Sequence, residues 1–232
     1  MTKVDLTPGF LIHRRAYRNN SLLLDFLTLE HGKIRLVGRG TRQAKTAIQM
    51  FGRVNISFSG RGELKTLTQW ESDDIPRRLT GETLILGLYA NELIDRLLHD
   101  HDSHPLLFKV YQTFLSRLDN ADDLQQQWAL RIFENQLLSE LGYGLEFEYD
   151  SSGNPINELN HYQYQHQLGF TLSETGKILG KFLTMFSSAD IKQKPDKSSL
   201  RIYRDLNRQR LAPLLGDKPL KSRELYFKES IK

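Results

Sequence analysis

The first 72 residues alternate apolar and polar side chains in short runs, as β-strands do. Turn-forming residues separate these runs, including His31-Gly32 and the Gly-Arg-Gly sequence at 60–62. The predicted strands cover residues 9–17, 21–30, 33–39, 53–59 and 63–71. Because five strands in a flat meander would leave open edges, we predict that they close into a small barrel of the OB-fold type.

From residue 80 onward the apolar residues recur at spacings of three and four, which is the period of an α-helix. Leu86, Tyr89 and Leu93 lie in the first such helix, and Thr80 is its predicted N-cap. Further helices are predicted over residues 104–118, 122–141, 173–186 and 198–212, whereas residues 146–170 are predicted to form an irregular hairpin or loop. Strands followed by helices indicate the α+β class.

This change of pattern predicts three domains. Residues 1–78 are expected to form an OB-fold nucleic-acid-binding domain, and residues 79–145 a mainly α-helical domain. Residues 146–232 are expected to hold a small irregular element without cysteine, followed by C-terminal helices that pack on the helical domain.

The charges are distributed unevenly along the chain. The formal net charge is only +4, but residues 1–80 hold 14 basic against 7 acidic residues, residues 81–150 hold 4 against 13, and residues 151–232 hold 14 against 8. A basic surface attracts polyanions and an acidic one repels them. The basic ends and the acidic middle are therefore expected to contact different partners.

Composition excludes several classes of function. The chain has no cysteine, which excludes disulfides, thiol catalysis and cysteine-ligated zinc. No apolar run approaches the ~20 residues of a membrane span, and the N-terminus lacks a signal segment. We therefore predict a cytoplasmic protein with no membrane partner.

No motif for catalysis or for a cofactor can be assigned. His99, His101 and His104 lie beside Asp100 and Asp102, but a solvated polar loop explains this run as well as a metal site does. The sequence Gly-Lys-Ile-Leu-Gly-Lys at 176–181 lacks the spacing and the Ser or Thr of a phosphate-binding loop. We therefore predict no metal, no cofactor and no enzyme activity.

Basic residues accumulate on and beside the predicted strands. In the third strand, Lys33, Arg35 and Arg39 share one face, and Ile34 and Leu36 share the other. The candidate DNA-binding set is Arg14, Arg15, Arg18, Lys33, Arg35, Arg39, Arg42, Lys45, Arg61 and Lys65, together with Arg201, Arg204, Arg208, Lys221 and Arg223 near the C-terminus. A positive track is what a phosphate backbone requires, although solvated strand and helix faces remain an alternative.

Aromatic residues are interleaved with these cations. Tyr17, Phe51, Phe58 and Trp70 all lie in the predicted barrel. Single-strand binders use flat rings to stack bases, whatever the base sequence. A ring on a strand also belongs to the core in many barrels, so for each ring both interpretations stay open.

Five segments resemble the RecO family of bacterial DNA repair proteins. They are GFLIHRRAYRNNSLLLDFLTLEHGKIRLVGRG, SGRGELKTLT, YANELIDRLL, LGYGLEF and GDKPLKSREL, in this order along the chain. The resemblance implies a recombination mediator without catalysis that binds single-stranded and duplex DNA and anneals complementary strands. It also implies contact with the C-terminal tail of the single-stranded-DNA-binding protein, and cooperation with RecR to load the RecA recombinase at the nucleoid.

The resemblance is incomplete at one place, and two other functions stay open. Many family members carry a zinc-binding cysteine cluster near residues 149–170, and this chain has no cysteine there. The alternatives are a general OB-fold module for RNA or single-stranded DNA, and an adaptor that binds no DNA.

The acidic middle is the predicted site for the partner's tail, which the family resemblance implies to be acidic with an apolar end. Such a ligand requires an apolar groove bordered by cations. The candidate residues are Trp128, Arg131, Leu138, Lys177 and Lys181. The alternative is an ordinary intrahelical pair between Arg131 and Glu134, three residues apart.

Overall fold

The fold is described by a computed structural model, which covers residues 2–42, 47–62, 64–75 and 77–229. Lys45 of the candidate set lies outside these residues. The strands are β1 (Thr2–Tyr17), β2 (Ser21–Thr28), β3 (Gly32–Gly38), β4 (Arg53–Gly60), β5 (Lys65–Ser72), β6 (His161–Gln165), β7 (Gly169–Leu172) and β8 (Ile178–Leu179). The helices are α1 (Gly81–Leu97), α2 (Pro105–Asn120), α3 (Asp123–Leu138), α4 (Gly180–Ser187), α5 (Lys197–Leu215) and α6 (Lys221–Glu229), and one π-helical turn (Ser139–Tyr143) follows α3.

Strands β1 to β5 form a closed barrel in the order β1-β2-β3-β5-β4. The strand β1 pairs antiparallel with both β2 and β4, and β3 closes the barrel through a short parallel pairing with β5. The prediction of a five-stranded OB-fold barrel within an α+β chain is confirmed. The first strand begins earlier than predicted, because residues 2–9 extend the pairing with β4 past an irregularity at Leu6.

The alternation in β3 has the predicted inner face. Ile34 and Leu36 lie in the barrel core, together with Leu11 and Phe26. Phe58 belongs to the same core and is 2% exposed, so its ring is a packing residue and not a surface for a base.

The chain forms two compact units, which divide it differently from the predicted boundaries at 78 and 145. The first unit contains Met1–Asp119 and Pro219–Lys232, and the second contains Asn120–Lys218. Helices α1 and α2 belong with the barrel because they cover its outer face. The Phe10 ring lies 5.1 Å from that of Phe108, and Asn91 donates a hydrogen bond to the carbonyl of Ile12.

The last helix, α6, also belongs to the first unit. Glu92 of α1 accepts hydrogen bonds from the backbone amides of Lys221 and Ser222 and from the Ser222 hydroxyl. These are the unpaired N–H groups at the start of a helix, so Glu92 caps α6 from a neighbouring helix. These hydrogen bonds lower the pKa of Glu92, against the opposing effect of burial.

The second unit contains a small sheet, in which β6 and β7 form an antiparallel hairpin at the end of the segment predicted as an irregular hairpin or loop. Its strand order is β7-β6-β8. The helix predicted to begin at 173 begins only at Gly180, because β8 pairs with β6 first. A β-carbon at Gly180 would lie 2.0 Å from the backbone oxygen of Asn157, so this glycine permits a close backbone contact.

The core of the second unit is rich in aromatic residues. Trp128, Phe147 and Tyr203 pack together, with ring centroids 5.4 Å and 6.3 Å from Tyr203. Phe170 joins this core, whereas Tyr149 is 47% exposed.

Candidate nucleic-acid interface

Lys33 does not lie on an open surface, and the prediction of an exposed cation is wrong at this position. Its side chain is 9% exposed. The ammonium group donates to the carbonyl of Asp95 at 2.7 Å and lies 3.2 Å from the carboxylate of Asp100. The loop after α1 therefore covers this end of β3, and Lys33 joins the barrel to that loop.

Arg35 is held by a buried carboxylate. Asp25 is 2% exposed and accepts a hydrogen bond from the Arg35 Nε at 2.5 Å, while the His13 Nδ1 lies 3.5 Å away on the other side. The hydrogen bond to Asp25 raises the pKa of Arg35. Removal of Arg35 would leave Asp25 without its main partner, so this arginine contributes to the stability of the barrel.

Four arginines at one end of the barrel are exposed. Arg15 lies near the end of β1, Arg18 directly follows this strand, and Arg39 and Arg42 follow β3. The Arg42 guanidinium is 3.4 Å from the carbonyl of Asn19, in the turn between β1 and β2, so the segment after β3 meets this turn. We call Arg15, Arg18, Arg39 and Arg42 the hairpin-tip cluster.

Tyr17 lies beside this cluster. Its ring is half-buried, and the Arg18 guanidinium lies 5.2 Å from the ring centroid. This cation–π contact covers one face of the ring that the sequence suggested as a base platform.

The remaining barrel cations are more scattered. Arg14 is exposed and lines a narrow opening together with Thr41 and Trp70. Arg61 is exposed in the turn between β4 and β5, and Lys65 is half-buried at the start of β5.

The C-terminal cations belong to both units. Arg201 and Arg208 are exposed on α5 of the second unit, and Arg204 is half-buried with its Nε 3.0 Å from Asp205. Lys221 and Arg223 belong to α6 in the first unit. Arg223 lies over the Tyr89 ring at 5.8 Å.

Comparison with known proteins places the chain in a family. Residues 1–75 match the family model for the N-terminal domain of recombination protein O, and residues 78–224 match the model for its C-terminal domain. The chain belongs to the RecO family of DNA repair proteins. The two RecO family models meet where the barrel ends, whereas the compact units divide after Asp119.

Curated RecO proteins match nearly the full chain. The DNA repair protein RecO of Coxiella burnetii strain RSA 493 is 41% identical, over 98% of this chain and 100% of its own length. RecO of Proteus mirabilis is 39% identical, over 97% and 93% of the two chains, and RecO of Actinobacillus pleuropneumoniae serotype 7 is 37% identical, over 94% and 92%.

The groove predicted for the partner's tail is absent at Arg131, and the alternative interpretation is confirmed. Arg131 is 7% exposed and forms an ion pair with Glu134 at 3.0 Å. Trp128 and Leu138 are 1% and 0% exposed, so they belong to the core and do not line a surface groove. Of the five residues predicted for the tail site, only Lys177 and Lys181 are exposed.

A buried polar network between α3 and α5 was not predicted. Glu134 is 0% exposed and accepts from Arg131 and from the Asn207 side-chain amide at 3.0 Å. Arg210 is 2% exposed and donates to Asn207 and Asn135. The sequence held one sign of this network. Arg210 lies seven residues after Tyr203, so the helical period places a charged residue on the apolar face of α5.

The histidine-rich loop is attached to the barrel. The amide of His101 donates to the Lys33 carbonyl at 2.9 Å, and the Ser103 hydroxyl donates to the Leu29 carbonyl at 3.1 Å. Within residues 2–42, 47–62, 64–75 and 77–229, no group of three or more His, Cys, Asp or Glu is placed to hold a metal ion. Among the helices of that same part of the chain, none is long and apolar enough to cross a membrane.

Replacing Lys33 with alanine tests its structural role. We expect the free energy of unfolding to fall by about 1.5–3 kcal/mol, because charge-assisted hydrogen bonds of a buried amine are lost. Urea unfolding followed by circular dichroism measures this change, with Arg39→Ala as an exposed control. A loss of DNA affinity in the fully folded Lys33→Ala protein would instead indicate a direct phosphate contact.

Proposed function

We propose that this RecO-family chain binds single-stranded and duplex DNA and anneals complementary strands as a recombination mediator without a catalytic step. The observation that carries the proposal is the hairpin-tip cluster, in which Arg15, Arg18, Arg39 and Arg42 are exposed at one end of an OB-fold barrel. OB-folds that bind single strands use positively charged residues to follow the phosphate backbone.

Annealing brings two phosphate backbones together, and their mutual repulsion has to be screened by cations. The hairpin-tip cluster supplies four such charges in the first unit, and Arg201 and Arg208 supply exposed charges in the second. Two separate basic surfaces support a protein that holds two strands.

The proposed partners follow from family membership. We propose that the chain contacts the C-terminal tail of the single-stranded-DNA-binding protein and acts with RecR to load RecA at the nucleoid in the cytoplasm. Lys177 and Lys181 remain the exposed candidate cations for the acidic tail.

The first test is a titration at several salt concentrations with labelled single-stranded DNA, duplex DNA and RNA. If the hairpin-tip cluster and Arg14 contact about five phosphates, log affinity should fall against log salt with a slope of about −3.5 on single strands, since each contact releases counterions. Fluorescence anisotropy measures the slope. A slope near zero would contradict DNA binding and favour an adaptor, and a clear preference for RNA would favour a general RNA-binding module.

A further inference from the structure

A groove in the second unit is lined by aromatic and acidic side chains. It encloses about 400 Å³ and lies beside the small sheet. Its lining includes Tyr143, Tyr149, Tyr164 and His166, together with the carboxylates of Glu146 and Asp150. We call these six residues the acidic aromatic groove.

The walls of the groove are held by hydrogen bonds. The guanidinium of Arg210 donates to the Tyr143 carbonyl at 2.8 Å. The amide of Ser151, another lining residue, donates to the Phe170 carbonyl at 2.7 Å. Because backbone contacts fix both walls, the groove exists before a ligand arrives, and little ordering entropy is lost on binding.

Three rings in the groove are exposed, those of Tyr143, Tyr149 and His166. Tyr143 and Tyr149 are 43% and 47% exposed, and Tyr143 stacks on His166 with centroids 6.5 Å apart. Aromatic residues are enriched at binding interfaces, where they supply large contact areas. The negative faces of such rings also attract cations.

The charges in the groove select for a cation. Glu146 and Asp150 are its charged lining residues, and no Lys or Arg occurs among the lining residues in the described part of the chain. Arg210 lies behind the wall and is 2% exposed, with its donors directed to Asn135, Asn207 and the Tyr143 carbonyl. A phosphate backbone would be repelled here. The Asp150 carboxylate already accepts hydrogen bonds from the amides of Ser152 and Asn154, so Glu146 is the carboxylate that a basic side chain would meet beside the rings.

We propose that the acidic aromatic groove binds arginine side chains of an extended basic segment of a partner protein. Arginine fits better than lysine, because its planar guanidinium stacks on tyrosine rings and forms paired hydrogen bonds with a carboxylate. This site is separate from the DNA-binding surface proposed above, since none of its lining residues belongs to the candidate DNA-binding set.

The test uses labelled peptides and the full chain. The probe is a fluorescein-labelled peptide of alternating glycine and arginine, compared with glycine–lysine and glycine–glutamate peptides and with a thymidine oligonucleotide. The groove variant combines Glu146→Gln with Tyr149→Ala, and both residues are exposed. The matched control combines Glu174→Gln with Leu159→Ala, two exposed residues of the same unit that do not line the groove.

We expect the groove variant to weaken binding of the arginine peptide about tenfold, because one cation–π contact and one carboxylate are lost. The control should change it less than about twofold, and the lysine peptide should bind more weakly than the arginine peptide. DNA affinity should be unchanged in both variants, and circular dichroism should confirm that both fold. Equal losses in the two variants, or loss of oligonucleotide binding in the groove variant alone, would overturn the proposal.

Discussion

Replacing Glu134 with alanine is expected to lower the free energy of unfolding of the second unit by about 3–5 kcal/mol, the cost of breaking a buried ion pair by removing one partner. The carboxylate is 0% exposed and accepts from both Arg131 and Asn207. Without it, the buried Arg131 guanidinium loses its carboxylate partner, and the Asn207 amide keeps only the Arg131 carbonyl as an acceptor. Arg131 is itself only 7% exposed, so water does not replace the lost partner easily.

The measurement is urea unfolding in a Trp70→Phe background. The chain has two tryptophans, Trp70 and Trp128, so this background makes Trp128 fluorescence report the core of the second unit alone. The control is Asp205→Ala, which removes an exposed carboxylate paired with Arg204 at the same 3.0 Å. Exposed pairs contribute only about 0–1 kcal/mol. An equal effect of the two substitutions would contradict the burial of the Glu134 network.

The same network changes what is expected of Arg131. Arg131→Ala should reduce the stability of the second unit through the loss of the Glu134 pair. If this variant binds an acidic tail peptide more weakly, the loss of binding should match the loss of folded protein. A tenfold loss of peptide affinity in fully folded protein would restore Arg131 as a surface contact.

The second large effect is expected in the hairpin-tip cluster. The triple variant Arg15→Gln, Arg18→Gln and Arg39→Gln should bind single-stranded DNA ten- to a hundredfold more weakly at low salt. Its salt slope should be shallower by about 2, since each phosphate contact contributes about 0.7 on single strands. Glutamine is shorter than arginine but keeps a polar side chain and removes the charge, and all three residues are exposed, so stability should change little.

A matched triple variant distinguishes a local DNA-binding site from a general effect of net charge on DNA affinity. Lys177→Gln, Lys181→Gln and Lys192→Gln remove the same charge from exposed positions of the second unit. Fluorescence anisotropy should show DNA affinity within about threefold of the parent protein for this control, because salt screens charges that make no direct phosphate contact. Similar losses in both triple variants would mean that DNA contacts are spread over the surface.

The sequence was most informative where a local pattern determines structure. The alternation of Ile34 and Leu36 with polar neighbours predicted the inner face of β3, because side chains of a strand alternate between its two faces. Thr80 was likewise predicted as the first cap and has the expected extended conformation, although its side chain makes no capping hydrogen bond.

The sequence was least informative about which segments, distant along the chain, pack over a given face of a strand or helix. Lys33 lies on the predicted outer face, but the last turn of α1, 62 residues later in the chain, supplies its partner, the carbonyl of Asp95. The same limit applies to Arg131, since residue spacing suggested the pair with Glu134 but not its burial. The packing of α5 on α3, which buries that pair, depends on contacts distant in sequence.

The position of α6 determines how the two units are connected. The chain passes from the first unit to the second after Asp119 and returns before Pro219, so the second unit is an insertion with two covalent links to the first. One cut after Asp119 would leave the fragments associated, because α6 remains capped by Glu92 of α1. One cut before Pro219 would leave the second unit attached through its first link. Proteolytic release of the second unit as a separate molecule therefore requires two cuts, or one cut after Asp119 together with undocking of α6.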